Sequence, residues 1–119
     1  MRALCGRETY GHIMNLSKSI LRVFDVRAKP GKAELLKQKL SDTSVSVVKG
    51  KPGNLGYFFG ENVSTDGNDF VFISVWDSLE SIKSHFGEAW EQSYLPEGYG
   101  EIIESCSIKH ILFNGNLDS

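Results

Sequence analysis

Between Ser19 and Ala28 the segment SILRVFDVRA is dense in β-branched and aromatic residues, and it stops at Lys29-Pro30-Gly31, a strong turn signal. This predicts a first strand. Beyond Pro30, which suits a helix's opening turn, Ala33, Leu36, Leu40 and Val47 recur at helical spacing, so a helix is expected from about Lys32 to Val48. The run Ser41-Asp42-Thr43-Ser44 and the three valines after it have poor helix propensity, which places a break near Asp42 and divides the helix into two pieces. Lys51-Pro52-Gly53-Asn54 is the next breaker. After it, LGYFFGENV reads as a second strand, Ser64 to Asp69 as a turn and FVFISVW at 70–76 as a third strand, together an antiparallel hairpin. Asp77 with Glu80 three residues later forms a capping box for a helix from about Ser78 to Phe86, with Leu79, Ile82 and Phe86 as its apolar stripe and Gly87 as its stop. A loop holding Trp90, Tyr94, Pro96 and Tyr99 leads to a short helix around Glu101 to Glu104, and SCSIKHILF is the last strand.

Strand, helix, strand, strand, helix, strand is the split βαβ, or ferredoxin-like, order of an α+β fold: a four-stranded antiparallel sheet with helices on one face. Leu21, Val23, Phe70 and Phe72 are expected on the uncovered face, which is then too apolar to leave in water. Face-to-face pairing of two copies would bury it. Residues 1–17 lack periodicity and are expected to be an N-terminal arm, or a consequence of a start upstream of Met14; 18–113 form the folded domain and 114–119 a polar tail.

Composition narrows the partners. The chain has 119 residues, enough for one core, and 13 Lys+Arg against 15 Asp+Glu leave a net charge of -2, so no basic field is present to hold nucleic acid or an anionic membrane. No apolar run reaches the length of a membrane span and the leader lacks a secretory signal, so a cytoplasmic protein is expected. Cys5 and Cys106 form no CxxC pair and are expected to be free thiols. His12, His85 and His110 have no zinc or iron spacing, and the 12 glycines include no GxGxxG or GxxxxGK run, so neither a metal nor a nucleotide is expected.

Lys29-Pro30-Gly31-Lys32 after the first strand, Pro52-Gly53 with Gly56-Tyr57 opening the second, and Val75-Trp76-Asp77-Ser78-Leu79-Glu80 leading to His85 give the chain, from about Leu21 to Phe113, a pattern that resembles the antibiotic biosynthesis monooxygenase (ABM) superfamily. The resemblance implies a dimeric α+β barrel with a ferredoxin-like subunit. It also implies a cavity between sheet and helices, with Trp76 and His85 at the matching positions. Two departures stand out: Gly87-Glu88-Ala89-Trp90 replaces a second histidine common in such proteins, and the first strand offers Asp25 in place of the asparagine of haem-degrading relatives.

An oxygenase without metal or flavin needs a substrate that itself gives an electron to oxygen, an electron-rich phenolate or enolate. His85 is the candidate base, since imidazole titrates near neutral pH, and Trp76 the candidate platform for a planar ring. A boundary histidine and a core tryptophan are the plain alternatives. Tyr57, Phe59, Trp90 and Tyr94 are candidates to line the pocket of a small aromatic molecule, or to pack core and dimer; Asp25 shares a strand face with Arg27 and either enters the cavity or joins an ion pair. His110 alternates with Ile108 and Leu112 and reads as a hydrogen-bonded core residue. Three functions compete: a cofactor-independent monooxygenase of a small phenolic or quinol-like compound, a non-catalytic dimeric binding or stress-related module, and a haem-binding or haem-degrading protein with His85 as axial ligand.

Overall fold

Strand β1 (Ile20–Ala28) points alternate side chains to opposite faces of the sheet, and the rest of the fold follows from that split. The computed structural model describes residues 18–114; the proposed arm, Cys5, His12 and most of the polar tail lie outside them. The even-numbered side of β1 carries Phe24, Val26 and Ala28 into the core. There they meet Leu36, Leu40 and Val48 of the first helical segment and Ile82 of the second, along with Phe70, Phe72 and Trp76 of β3 (Asp69–Trp76). The sheet is completed by β2 (Asn54–Glu61) and β4 (Ile103–Leu112), in the order β2-β3-β1-β4 with every neighbouring pair antiparallel. This is the α+β, ferredoxin-like arrangement that the sequence pattern predicts.

Register corrects one expectation. Phe24 pairs with Phe72 and Val23 with Ile73, so Phe70 and Phe72 share the helix side with Phe24 and Val26. The other face instead carries Leu21 and Val23 of β1, Val71, Ile73 and Val75 of β3, Phe58 of β2 and Ile111 of β4. Directly paired residues point to the same side of a sheet, and the expectation had joined opposite parities.

The first helix divides as expected, and the break has a defined form. Segment α1 (Ala33–Lys39) runs through a π-helical turn (Leu40–Ser44) into α2 (Val45–Val48). The wider turn admits an extra residue and advances the buried stripe, so Val48, and not Val47, is fully enclosed and Ser44 is turned inward. Tyr99, also fully enclosed, donates its hydroxyl proton to the Lys39 carbonyl (2.9 Å) and lies 2.6 Å from Ser44 Oγ, which ties the 96–100 loop to the π turn.

Two local expectations fail. The cap of α3 (Leu79–Phe86) is Ser78, whose Oγ accepts from the Ser81 amide at 3.1 Å; Asp77 is held in the strand register by its amide donating to the Gly53 carbonyl and instead accepts from Ser81 Oγ. No helix forms at Glu101–Glu104. The Ile102 and Ile103 amides close a turn on the Tyr99 carbonyl, both isoleucines are buried and the Ile102 carbonyl accepts from the Lys29 amide, so the chain enters β4 at once. None of the described helices is long and apolar enough to cross a membrane.

Candidate functional site

The end of β3 and the last turn of α3 converge. Trp76 is fully buried, and its indole N–H donates to Ser74 Oγ at 2.9 Å. His85 tilts over it with ring centroids 5.3 Å apart, and Phe86 contacts both rings edge-on, at 4.6 Å from His85 and 5.8 Å from Trp76. His85 Nε2 lies 2.8 Å from the Val47 carbonyl, which can only accept, so Nε2 carries a proton and the neutral ring keeps its lone pair on Nδ1. One side of this histidine opens onto a pocket of about 280 Å³ lined by Ser46, Val47, Lys51, Phe86 and Tyr94.

Val47, Phe86 and Tyr94 also border an inner cavity between sheet and helices, whose other lining residues include Arg22, Ser44, Ser74, Phe24, Phe72 and Ile108. Its free volume is about 40 Å³, room for a few waters and no more. Sequence reasoning missed Arg22, although the signal was present: its parity is that of Phe24, Val26 and Ala28, so it is a cation on the apolar side of a strand. It is only 4% exposed, and burial pushes its pKa down to about 10, which leaves it charged at neutral pH. Its guanidinium sits 3.8 Å over the Phe86 ring and donates to the Trp90 and Gln92 carbonyls (2.6 and 3.0 Å) and to His110 Nε2 (2.9 Å). His110 is therefore hydrogen-bonded on the helix side. Burial, and then Arg22, holds its pKa below the usual imidazole value, with Glu91 opposing.

The other candidates divide. Tyr94, 55% exposed, joins the His85 cluster through Phe86 at 6.3 Å. Trp90 lies on the far side of Arg22, against His110 (5.1 Å) and under Lys83, and borders a different open concavity. Tyr57 stacks on Phe72, and like Phe59 it is half-buried against the core. Asp25 is on the opposite face of the sheet, 3.9 Å from Lys109, so it does not reach the helix-side cavity. Its neighbour Arg27 pairs with Asp66 and Asp69, outside the cavity as well. A shallow concavity of about 710 Å³ at that end of the sheet is bordered by Asp25, Arg27 and Cys106, a free thiol; it includes neither His85 nor Trp76. Among the described residues no group of three or more His, Cys, Asp or Glu is placed to hold a metal ion.

The sequence model of the antibiotic biosynthesis monooxygenase family matches residues 19–92, more than half of the chain and the whole of the β1-to-α3 framework. The chain belongs to this family. Its fold is shared with solved structures of low sequence identity. PA3566 from Pseudomonas aeruginosa superposes with a TM-score of 0.66 at 19% identity, covering 86% of this chain and 100% of its own. A protein of unknown function from Nitrosomonas europaea gives 0.65 at 13%, covering 88% and 99%. SnoaB, a cofactor-independent oxygenase from Streptomyces nogalater, gives 0.63 at 11%, covering 86% and 99%. No curated protein sequence matches the chain at significance.

Proposed function

We propose that the protein is a cofactor-independent monooxygenase of a small phenolic or quinol-like compound, which binds in the pocket beside His85. The observation that carries this is the histidine's geometry. Nε2 is committed to the Val47 carbonyl, so Nδ1 is available to take a phenolic proton, and the ring is fixed between Trp76 and Phe86 at the border of a pocket of about 280 Å³, near the lower bound for small-molecule sites. Trp76 is enclosed behind His85 and acts as a positioning residue; the ring a ligand meets is Phe86 or Tyr94. Family membership and the likeness to SnoaB support the reaction class.

The chemistry balances without an external reductant. A phenol unsubstituted at the para position gives up its proton, the phenolate transfers an electron to O₂, one oxygen atom joins the para carbon to become the second quinone carbonyl, and the other leaves as water. For 1-naphthol the products are 1,4-naphthoquinone and water. The protein's part is to remove the proton and confine the radical pair. The test is turnover of 1-naphthol under ¹⁸O₂: one labelled oxygen in the quinone supports the proposal, whereas quinone bearing only solvent oxygen refutes it.

A second copy covering the open face belongs to the same proposal. Val71 and Ile73 are half-buried there, and Phe58 is 55% and Ile111 41% exposed, a contiguous apolar surface of the kind that marks an interface. The inner cavity of about 40 Å³ favours one competing function, a non-catalytic dimeric module in which side chains fill the interior; absence of both oxygen uptake and binding of aromatic ligands beside His85 would select it. Haem fits the His85 pocket poorly, because His85 Nε2 is already bonded to the Val47 carbonyl and the space beside the ring is about 280 Å³.

A further inference from the structure

Arg22 has an unusual balance of partners. A buried cation is costly unless an anion or a full set of acceptors accompanies it. Arg22 is only 4% exposed, yet among the described residues no carboxylate lies within 4.0 Å of it. A guanidinium has five N–H donors. Three are directed at the Trp90 carbonyl, the Gln92 carbonyl and His110 Nε2, which leaves the Nε proton and one Nη2 proton without an acceptor among the described residues. His110 cannot supply negative charge; it accepts through Nε2 and is held neutral by its surroundings. The site therefore holds one positive charge, fixed by two main-chain carbonyls and stacked on Phe86, with donors to spare. Arg22 lines the inner cavity together with the hydroxyl-bearing Ser44 and Ser74, and Val47, Phe86 and Tyr94 border both that cavity and the His85 pocket.

We propose that Arg22 is an anion-binding residue: the ligand taken beside His85 is an aromatic acid, whose carboxylate enters the inner cavity and accepts from the free guanidinium donors while its phenolic hydroxyl stays at His85, with the ring displacing Phe86 and Tyr94. This rests on the helix-side pocket being a ligand site and adds the charge of the ligand. A charge-assisted, hydrogen-bonded pair in a water-poor cavity discriminates strongly against a neutral isostere. The alternative role for Arg22 is a strut that pins residues 90–92 to the sheet and touches no ligand.

Calorimetric titration at pH 7 with 1-naphthoate and with its neutral isostere 1-naphthamide decides between them. The expected result is an affinity about tenfold or more higher for the carboxylate, with the preference falling to near unity in Arg22→Gln, which keeps hydrogen-bonding capacity and loses the charge. Equal affinities in the wild type, or a preference that survives in folded Arg22→Gln, overturn the anion site and leave the pocket standing. Binding of neither compound overturns both. If Arg22→Gln does not fold, the wild-type ¹⁵N-arginine spectrum serves: 1-naphthoate moves the Arg22 Nε–H resonance and 1-naphthamide does not, whereas an unmoved resonance at saturation refutes the contact.

Discussion

Gly53 and Gly50 flank the same Lys51-Pro52 turn with similar left-handed backbones, φ +86° and +74°, yet a methyl group at each would meet different surroundings. At Gly50 a Cβ has nothing within 4 Å. At Gly53 it would lie 2.2 Å from Ser81 Oγ, 2.4 Å from Ser81 Cβ and 2.9 Å from Asp77 Oδ1. Rotating the Ser81 hydroxyl away does not relieve the second contact, because Ser81 Cβ moves only with the backbone of α3. Both alanine variants bear the cost of a left-handed non-glycine residue, about 1–2 kcal/mol, reduced by about 0.4–1 kcal/mol through the stiffer unfolded chain. Gly53→Ala adds an overpacking cost of about 1–3 kcal/mol and loosens the Asp77–Ser78–Ser81 cluster at the start of the helix that carries His85. Urea unfolding should therefore place Gly53→Ala at least about 1 kcal/mol below Gly50→Ala with an unchanged slope. Equal destabilisation of the two would refute the close approach of this turn to α3.

Four further outcomes follow from the geometry. Removing the Tyr99 hydroxyl in Tyr99→Phe should cost about 1–3 kcal/mol by denaturant titration, since it deprives the Lys39 carbonyl of a donor and Ser44 of its partner within the core. His110 is depressed in the folded state, so its contribution to stability is complete above its unfolded value near 6.5 and is lost as pH falls below it; melting temperatures between pH 7 and 5.5 should decline more steeply in the wild type than in His110→Gln. In the proposed reaction, His85→Ala should slow oxygen uptake by about 10²-fold or more while the melting curve stays cooperative; full activity in that variant would remove His85 from the chemistry. Sedimentation at micromolar concentration should show a dimer that Phe58→Glu converts to a monomer, and a monomeric wild type would contradict the covering of the open face.

Topology was the most legible layer because it rests on periodicity. Alternation in β1, the aromatic hairpin of β2 and β3 and the stripe Leu79–Ile82–Phe86 carry the fold without help from distant contacts. What failed needed partners that pattern alone does not supply. Whether Phe72 or Ile73 lies beside Val23 depends on strand register. Glu101–Glu104 looks helical in isolation, but the burial of Ile102 and Ile103 and the pairing of Lys29 with Ile102 draw it into the sheet. At the site, Trp76 and His85 were recognisable from their motif, and the structure brings them together with Tyr94. Asp25, chosen for its residue type, faces the other way. Arg22 was the reverse case: nothing in its local motif suggests a role, and its parity with Phe24 and Val26 becomes meaningful only once the helices are known to cover that face.

The most direct test of the site is a crystal structure of the protein soaked with 1-naphthol under anaerobic conditions. The ring is expected in the pocket bordered by His85, Phe86 and Tyr94, with its hydroxyl within hydrogen-bond reach of His85 Nδ1 and Phe86 displaced toward solvent. Density confined to the open sheet face, or a ligand beside His85 that leaves Nδ1 without a contact, would contradict the assignment of this pocket as the place where the chemistry occurs.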